Sequence, residues 1–162
     1  MISDPLQEFL YKTGFKGALM GLDLGTKTIG VAVSDLRQTV ATGIETIKRT
    51  KFQQDLKKLK LIMDDRDIKG IVLGLPKNMN GTEGPRCQST RAFGKNVSAA
   101  ISTPITFWDE RLSTVAAERS LIEANTSRLR RAEVIDYVAA SFILQGALDR
   151  LAVLKKGFDL ER

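Results

Sequence analysis

The sequence predicts an α/β sandwich built on a mixed sheet, and three observations carry that prediction. Three short β-prone runs follow one another near the start, and apolar strands then alternate with segments of helical period. One of those strands, Gly70-Ile71-Val72-Leu73-Gly74, is apolar without alternation, as a strand covered on both faces should be.

The elements follow in order. Gly17 to Asp23 and Thr28 to Ser34 are separated by Gly25-Thr26-Lys27, and Thr39 to Ile47 comes after Asp35-Leu36-Arg37-Gln38, which predicts a three-strand antiparallel meander. Thr50-Lys51-Phe52-Gln53 matches a capping box, and Phe52, Leu56, Leu59 and Met63 recur at helical spacing behind it. After the strand at 70–74, Leu75 to Pro85 is dense in Pro, Asn and Gly and reads as a long functional loop. Helical pattern resumes near Arg86 and runs to Ile101, and Ile105 to Trp108 forms a last strand ending at Asp109-Glu110-Arg111. Ser113 is placed to cap a helix through Glu123, and Arg130 to Arg150 is a final helix with a wide apolar face. The order is βββαβαβα with further helix around a five-stranded sheet.

A chain of 162 residues with 43% hydrophobic and 27% charged residues has the size and composition of one soluble domain, here 17–154. Residues 1–16 form an extension, either a short helix seating Leu6, Phe9 and Leu10 or a disordered arm, and 155–162 form a charged tail. The net charge of +6 favours polyanionic partners. The start lacks the basic and apolar regions of a secretory signal, and no run of about 18 apolar residues is present, which predicts a cytoplasmic protein. There is no histidine, which excludes Ser-His-Asp and Cys-His relays and His-ligated zinc. A single cysteine, Cys87, can form neither an intrachain disulfide nor a thiolate cluster.

Hydrolysis of a polyanion by such a chain falls to carboxylates, most naturally by holding hard divalent cations. Asp23 ends an apolar strand directly before a glycine turn, where backbone can approach phosphate or metal; a turn-initiating Asp is its alternative. Asp136 is the one charged residue between Glu133 and Asp149, in a helix rich in Val, Ile, Ala and Phe, where an acid costs stability unless it is paired, capped or metal-bound. A narrow solvent stripe including Tyr137 and Ser141 is its alternative. Strand alternation groups Asp109 with Ile105 and Phe107, and Glu110 with Thr106 and Trp108, so only one of the two acids can face a given site. Lys57, Lys58 and Lys60 read as a solvated helix face, whereas Arg86, Arg91, Arg111, Arg128, Arg130 and Arg131 lie near the acids in sequence. Gly21-Leu22-Asp23-Leu24-Gly25-Thr26-Lys27-Thr28 is not a P-loop, because its glycines are wrongly spaced. It is similar to the phosphate-binding hairpin of the actin, heat-shock-chaperone and sugar-kinase superfamily, although one domain cannot supply both halves of that nucleotide site.

Four motifs occurring in order resemble the YqgF family: Gly21 to Asp35, Gly74 to Thr82, Asp109-Glu110-Arg111-Leu112-Ser113-Thr114, and Ile135-Asp136 before Ala139-Ala140. The resemblance spans about residues 17–150. Family members are described as pre-16S ribosomal RNA nucleases, and earlier as Holliday junction resolvases, with a ribonuclease-H-like fold. The resemblance implies catalytic and metal-holding roles for Asp23, Glu110 and Asp136, with Mg2+ or Mn2+ as cofactor, and it selects Glu110 over Asp109. It also implies that Lys77 to Pro85 is a substrate loop, with Lys77 and Asn78 on the nucleic-acid backbone beside Lys27, Arg86, Arg91 and Arg111. The implied partner is precursor ribosomal RNA or a DNA junction, with no membrane role, and the oligomeric state stays open. A nucleic-acid-binding factor that does not cut is the alternative from another class, and a triad of acids argues against it.

Overall fold

The computed structural model of the chain describes residues 2–3, 6–113 and 128–161. Strand β1 (Ile2–Ser3) and helix α1 (Leu6–Thr13) precede the meander of β2 (Leu19–Leu24), β3 (Thr28–Ser34) and β4 (Ala41–Lys48). Then come α2 (Phe52–Arg66), β5 (Gly70–Leu75), α3 (Pro85–Ala100), β6 (Ile105–Asp109), a 3-10 turn at Glu110–Leu112 and the long helix α4 (Arg128–Glu161). The helix expected from Ser113 to Glu123 falls, past Ser113, outside the described residues. Helix α4 continues through the stretch expected to be a charged tail.

The sheet order is β1-β6-β5-β2-β3-β4. Strands β2, β3 and β4 pair antiparallel, while β5 and β6 join β2 in parallel. The five strands from β6 to β4 are the expected mixed sheet, in the ribonuclease-H-like arrangement. The sixth strand was not expected. The two residues of β1 pair in parallel with β6, Ile2 with Ile105 and Ser3 with Thr106, and lengthen the sheet at that edge. A strand of two residues has no period to detect.

Local chemistry sets the turns. The β2–β3 hairpin closes with the Gly25 amide donating to the Thr28 carbonyl at 2.8 Å. In the β3–β4 turn, the Asp35 carboxylate accepts from the Thr39 amide at 2.7 Å, the Thr39 hydroxyl at 2.6 Å and the Val40 amide at 2.9 Å. The expected capping box at α2 is replaced by a related device. Lys51 is the N-cap and makes no side-chain cap, and the buried Asp55 carboxylate reaches back to accept from the Thr50 amide at 2.9 Å.

Alternation along β2 assigns the two faces of the sheet. Met20, Leu22 and Leu24 join a core with Leu56, Leu59 and Met63 of α2 and Phe93 and Val97 of α3. Leu19 joins the opposite core, with Phe9 and Leu10 of α1 and Ala140, Ile143 and Leu144 of α4. Phe9 and Leu10 are fully buried. Together their burial stabilises the seat of α1 by roughly 3–6 kcal/mol before ordering entropy is subtracted. The segment Val134–Gly157 is long and apolar enough by composition to cross a bilayer, but its stripe of Ala140, Ile143, Leu144 and Ala147 is buried on the sheet as a core helix.

Helix α4 crosses the strands obliquely at close range, and small residues make that approach feasible. A Cβ built on Gly21 would lie 2.6 Å from the Leu144 Cβ, and one on Gly30 would overlap the Asp136 carbonyl. Asp136 therefore sits over β3, Leu144 over β2, and Ile143 over Gly74 of β5.

Candidate active site

Asp23 is the penultimate residue of β2 and is only 5% exposed. It shares the face of Leu19 and Gly21, which is the face covered by α4, because successive side chains alternate across a strand. Its register partner is Gly30, and the Asp136 backbone carbonyl packs on that glycine. The Asp136 carboxylate accepts from the Thr28 hydroxyl at 2.7 Å. Asp136 therefore faces the strand end that carries Asp23, and not the far side of the sheet.

Alternation also separates Asp109 from Glu110. Phe107 belongs to the core under α2 and α3, and Trp108 to the core under α4. Glu110 follows the Trp108 side: its Oε2 lies 3.3 Å from where a Cβ on Gly74 would stand. Because Leu22 pairs with Leu73, one further step along the strands sets Asp23 beside Gly74. Asp109 instead binds Arg111, through contacts of 2.7 to 3.1 Å from its guanidinium and 3.0 Å from its amide. The Arg111 guanidinium holds the Asp109 carboxyl below its usual range, and that carboxylate raises Arg111 in turn.

Three carboxylates thus share the α4 face at the carboxyl ends of β2 and β6, beside the point where the strand order reverses, a position where sheets of this kind receive ligands. Among the described residues, no three acidic or thiol side chains are assembled closely enough to grip one ion.

The basic residues divide into two groups. Arg91 makes a paired contact with Glu83 at 2.6 and 2.8 Å and lies 5.0 Å from the Phe107 ring centroid. Its guanidinium lowers the Glu83 carboxyl. Arg111 also donates to the Met79 carbonyl at 3.2 Å, pinning the loop after β5. Within that loop Asn78 and Asn80 both bond Thr82, and Gly81 takes a φ of +87°. Lys77 lies 4.0 Å from Glu83, whereas Lys27 and Arg86 are exposed. The side chains of Arg128, Arg130 and Arg131 lie outside the described residues.

Two residues at this end of the sheet were not singled out in the sequence. Thr28 carried a detectable signal, since it shares strand parity with Gly30 beside Asp23. Arg49, which donates to the Gly25 carbonyl at 2.6 Å, carried none, because a single arginine after a strand has no pattern.

A ribonuclease-H-like sheet with acidic side chains at its strand ends, in a chain without histidine, is an arrangement suited to carboxylate-based hydrolysis of phosphodiesters. Residues 17–150 match the family model described as "RuvX: Holliday junction resolvase". The chain belongs to this family, a family of nucleases. It is 63% identical over 151 residues to a protein of Cereibacter sphaeroides strain KD131, covering 93% of this chain and 94% of that one. It is 60% identical over 163 residues to a protein of Roseobacter denitrificans, covering 99% and 100%. Both relatives are named "Putative pre-16S rRNA nuclease". Among solved structures, Thermus thermophilus RuvC with a Holliday junction substrate aligns at 9% identity with a TM-score of 0.49, covering 82% of this chain and 93% of that one.

Proposed function

We propose that this chain is a divalent-metal-dependent endonuclease that processes the 5′ end of precursor 16S ribosomal RNA in the cytoplasm. The observation that carries the reading is the placement of Asp23, Glu110 and Asp136 on one face at one end of the sheet. The names of the curated relatives favour RNA as the substrate. The family model's description keeps cleavage of a four-way DNA junction as the second reading, and that reaction needs a symmetric dimer to cut two strands.

The donor chemistry fits Mg2+ or Mn2+, since every candidate ligand is a carboxylate oxygen. Asp23, Glu110 and Asp136 would supply the ligands, not as a ready-made three-acid cage, and a bound ion would supply Lewis-acid stabilisation of charge developing on the phosphate. The chain's own residues do the rest. Thr28 fixes the orientation of the Asp136 carboxylate, and strand geometry fixes Asp23. Lys27, Lys77, Asn78 and Arg86 meet backbone phosphates, while Arg91 and Arg111 act mainly by shaping the loop between β5 and α3. The test is to incubate the purified protein with a precursor 16S transcript and with a four-way DNA junction in Mg2+, Mn2+ or EDTA. Metal-dependent cutting of the transcript supports the reading, and cutting of the junction alone transfers it to the second.

A further inference from the structure

On the opposite face of the sheet from the carboxylates, a cavity of about 180 Å3 opens between the β2–β3 hairpin, the end of β4 and the start of α3. Thr26, Arg49, Arg86 and Ser89 contribute to its lining. Arg49 is held in place, with its Nη1 donating to the Gly25 carbonyl at 2.6 Å and its guanidinium carbon 5.9 Å from the Phe93 ring centroid. That anchoring leaves other donors of the guanidinium fork for a ligand. Arg91 and Arg111 are neutralised within the chain, but among the described residues no carboxylate forms an ion pair with Arg49 or Arg86. Two guanidinium groups sharing one cavity, with no carboxylate paired to either among the described residues, suit an anion. Helix α3 adds to this field: its N-cap is Gly84, which has no side chain to accept from the first-turn amides.

We propose that this cavity seats one phosphodiester of the strand flanking the cleavage point. The Arg49 and Arg86 guanidinium groups hold the phosphate, with the Thr26 and Ser89 hydroxyls as supporting donors. The inference rests on the nuclease reading and adds a path for the substrate. Asp23 faces α4, and the cavity begins at Leu24 and Gly25 on the other side of the sheet, so the strand crosses the end of β2 over Gly25 to Lys27. A path bent over that short distance suits an unpaired strand, because duplex DNA is stiff over about 150 base pairs.

Two variants of the full chain test the seat. Arg86→Gln removes an exposed charge whose side chain makes no hydrogen bond or ion pair among the described residues, and Ser89→Asp places a carboxylate at an exposed position in the lining of the same cavity. Anisotropy of a labelled single-stranded RNA oligonucleotide, measured in EDTA over a salt series, is the readout. R86Q should bind roughly five- to tenfold more weakly, with its salt slope reduced by about 0.7. S89D should bind at least as weakly with an undiminished Tm. Wild-type affinity and slope in both variants, with metal-dependent cleavage retained, would overturn the seat alone, whereas a wild-type protein that neither binds nor cuts RNA overturns the nuclease reading with it. If inorganic phosphate raises the Tm of the wild type but not of R86Q, and RNA affinity does not change between them, the cavity serves a free anion and the strand path is wrong.

Discussion

The Thr28 hydroxyl donates to the Asp136 carboxylate at 2.7 Å, joining the first residue of β3 to a helix 108 residues further along the chain. This bond aims Asp136 at the strand end that carries Asp23. Thr28→Val keeps the shape and removes the donor, at an expected cost of about 1–2 kcal/mol. Cleavage should fall about 10- to 100-fold, because a carboxylate that has lost its orienting partner is a poorer ligand. Thermal melting and cleavage rate measured together separate the two effects, and a variant whose activity falls only in step with its folded fraction would leave Thr28 a structural role.

Two glycines on the same face should respond differently to alanine. At Gly30 the added methyl meets the Asp136 backbone carbonyl, so helix α4 itself must move. At Gly74 it meets chiefly the Ile143 side chain, which can turn aside. Gly30→Ala should destabilise by about 3 kcal/mol or more and abolish cleavage, and Gly74→Ala by about 1–2 kcal/mol. Urea unfolding of the pair checks the order, and equal losses would mean that α4 is not seated as described.

The Asp35 carboxyl is held at about 2 by the Thr39 hydroxyl and the Val40 amide, against an ordinary 3.8. A carboxyl with a depressed folded value stabilises the protein above its unfolded value, and that contribution is lost as pH falls from about 4 to about 2. Asp35→Asn should lower the Tm by about 2–4 °C at pH 7, allowing for the exposure of the turn. The difference from wild type should vanish near pH 2. Melting curves across that range decide it; a gap independent of pH would assign the effect to something other than charge.

Arg111 links Asp109 to the Met79 carbonyl, and lysine cannot make both the paired and the bridging contacts. Arg111→Lys should change the Tm little, since an exposed pair contributes about 0–1 kcal/mol. KM for the RNA substrate should rise several-fold as the loop loses its anchor, with kcat held. A fall in kcat at constant KM would place Arg111 at the reacting phosphate instead.

Much of this was legible in the sequence. The meander and the buried strand at 70–74 stood out by period, and Asp23 and Asp136 stood out as acids where apolar residues belong. Alternation narrowed the third acid to Asp109 or Glu110 but did not say which parity faced α4, because that depends on where a distant helix packs. Trp108 in the α4 core and Glu110 beside Gly74 put Glu110 on the α4 face. Residues 1–16 gave two alternatives because the burial of Phe9 and Leu10 is a tertiary fact. The capping box at Thr50 misled because Asp55, one helical turn on, competes for the same amide. Arg91 and Arg111 were candidates for substrate contact by charge, and the bonds they make to Glu83 and Asp109, eight and two residues away, carry no sequence pattern.

In the proposed function the Asp23 carboxylate at the end of β2 performs chemistry and does not merely shape a turn. Asp23→Asn, compared with wild type for Mn2+-dependent cleavage of precursor 16S RNA, for RNA affinity in EDTA and for Tm on the same preparations, tests it most directly. Cleavage should fall at least about 100-fold, with the fold retained and affinity equal or slightly higher, since a carboxylate facing phosphate repels it. Cleavage by the variant at near the wild-type rate would contradict it.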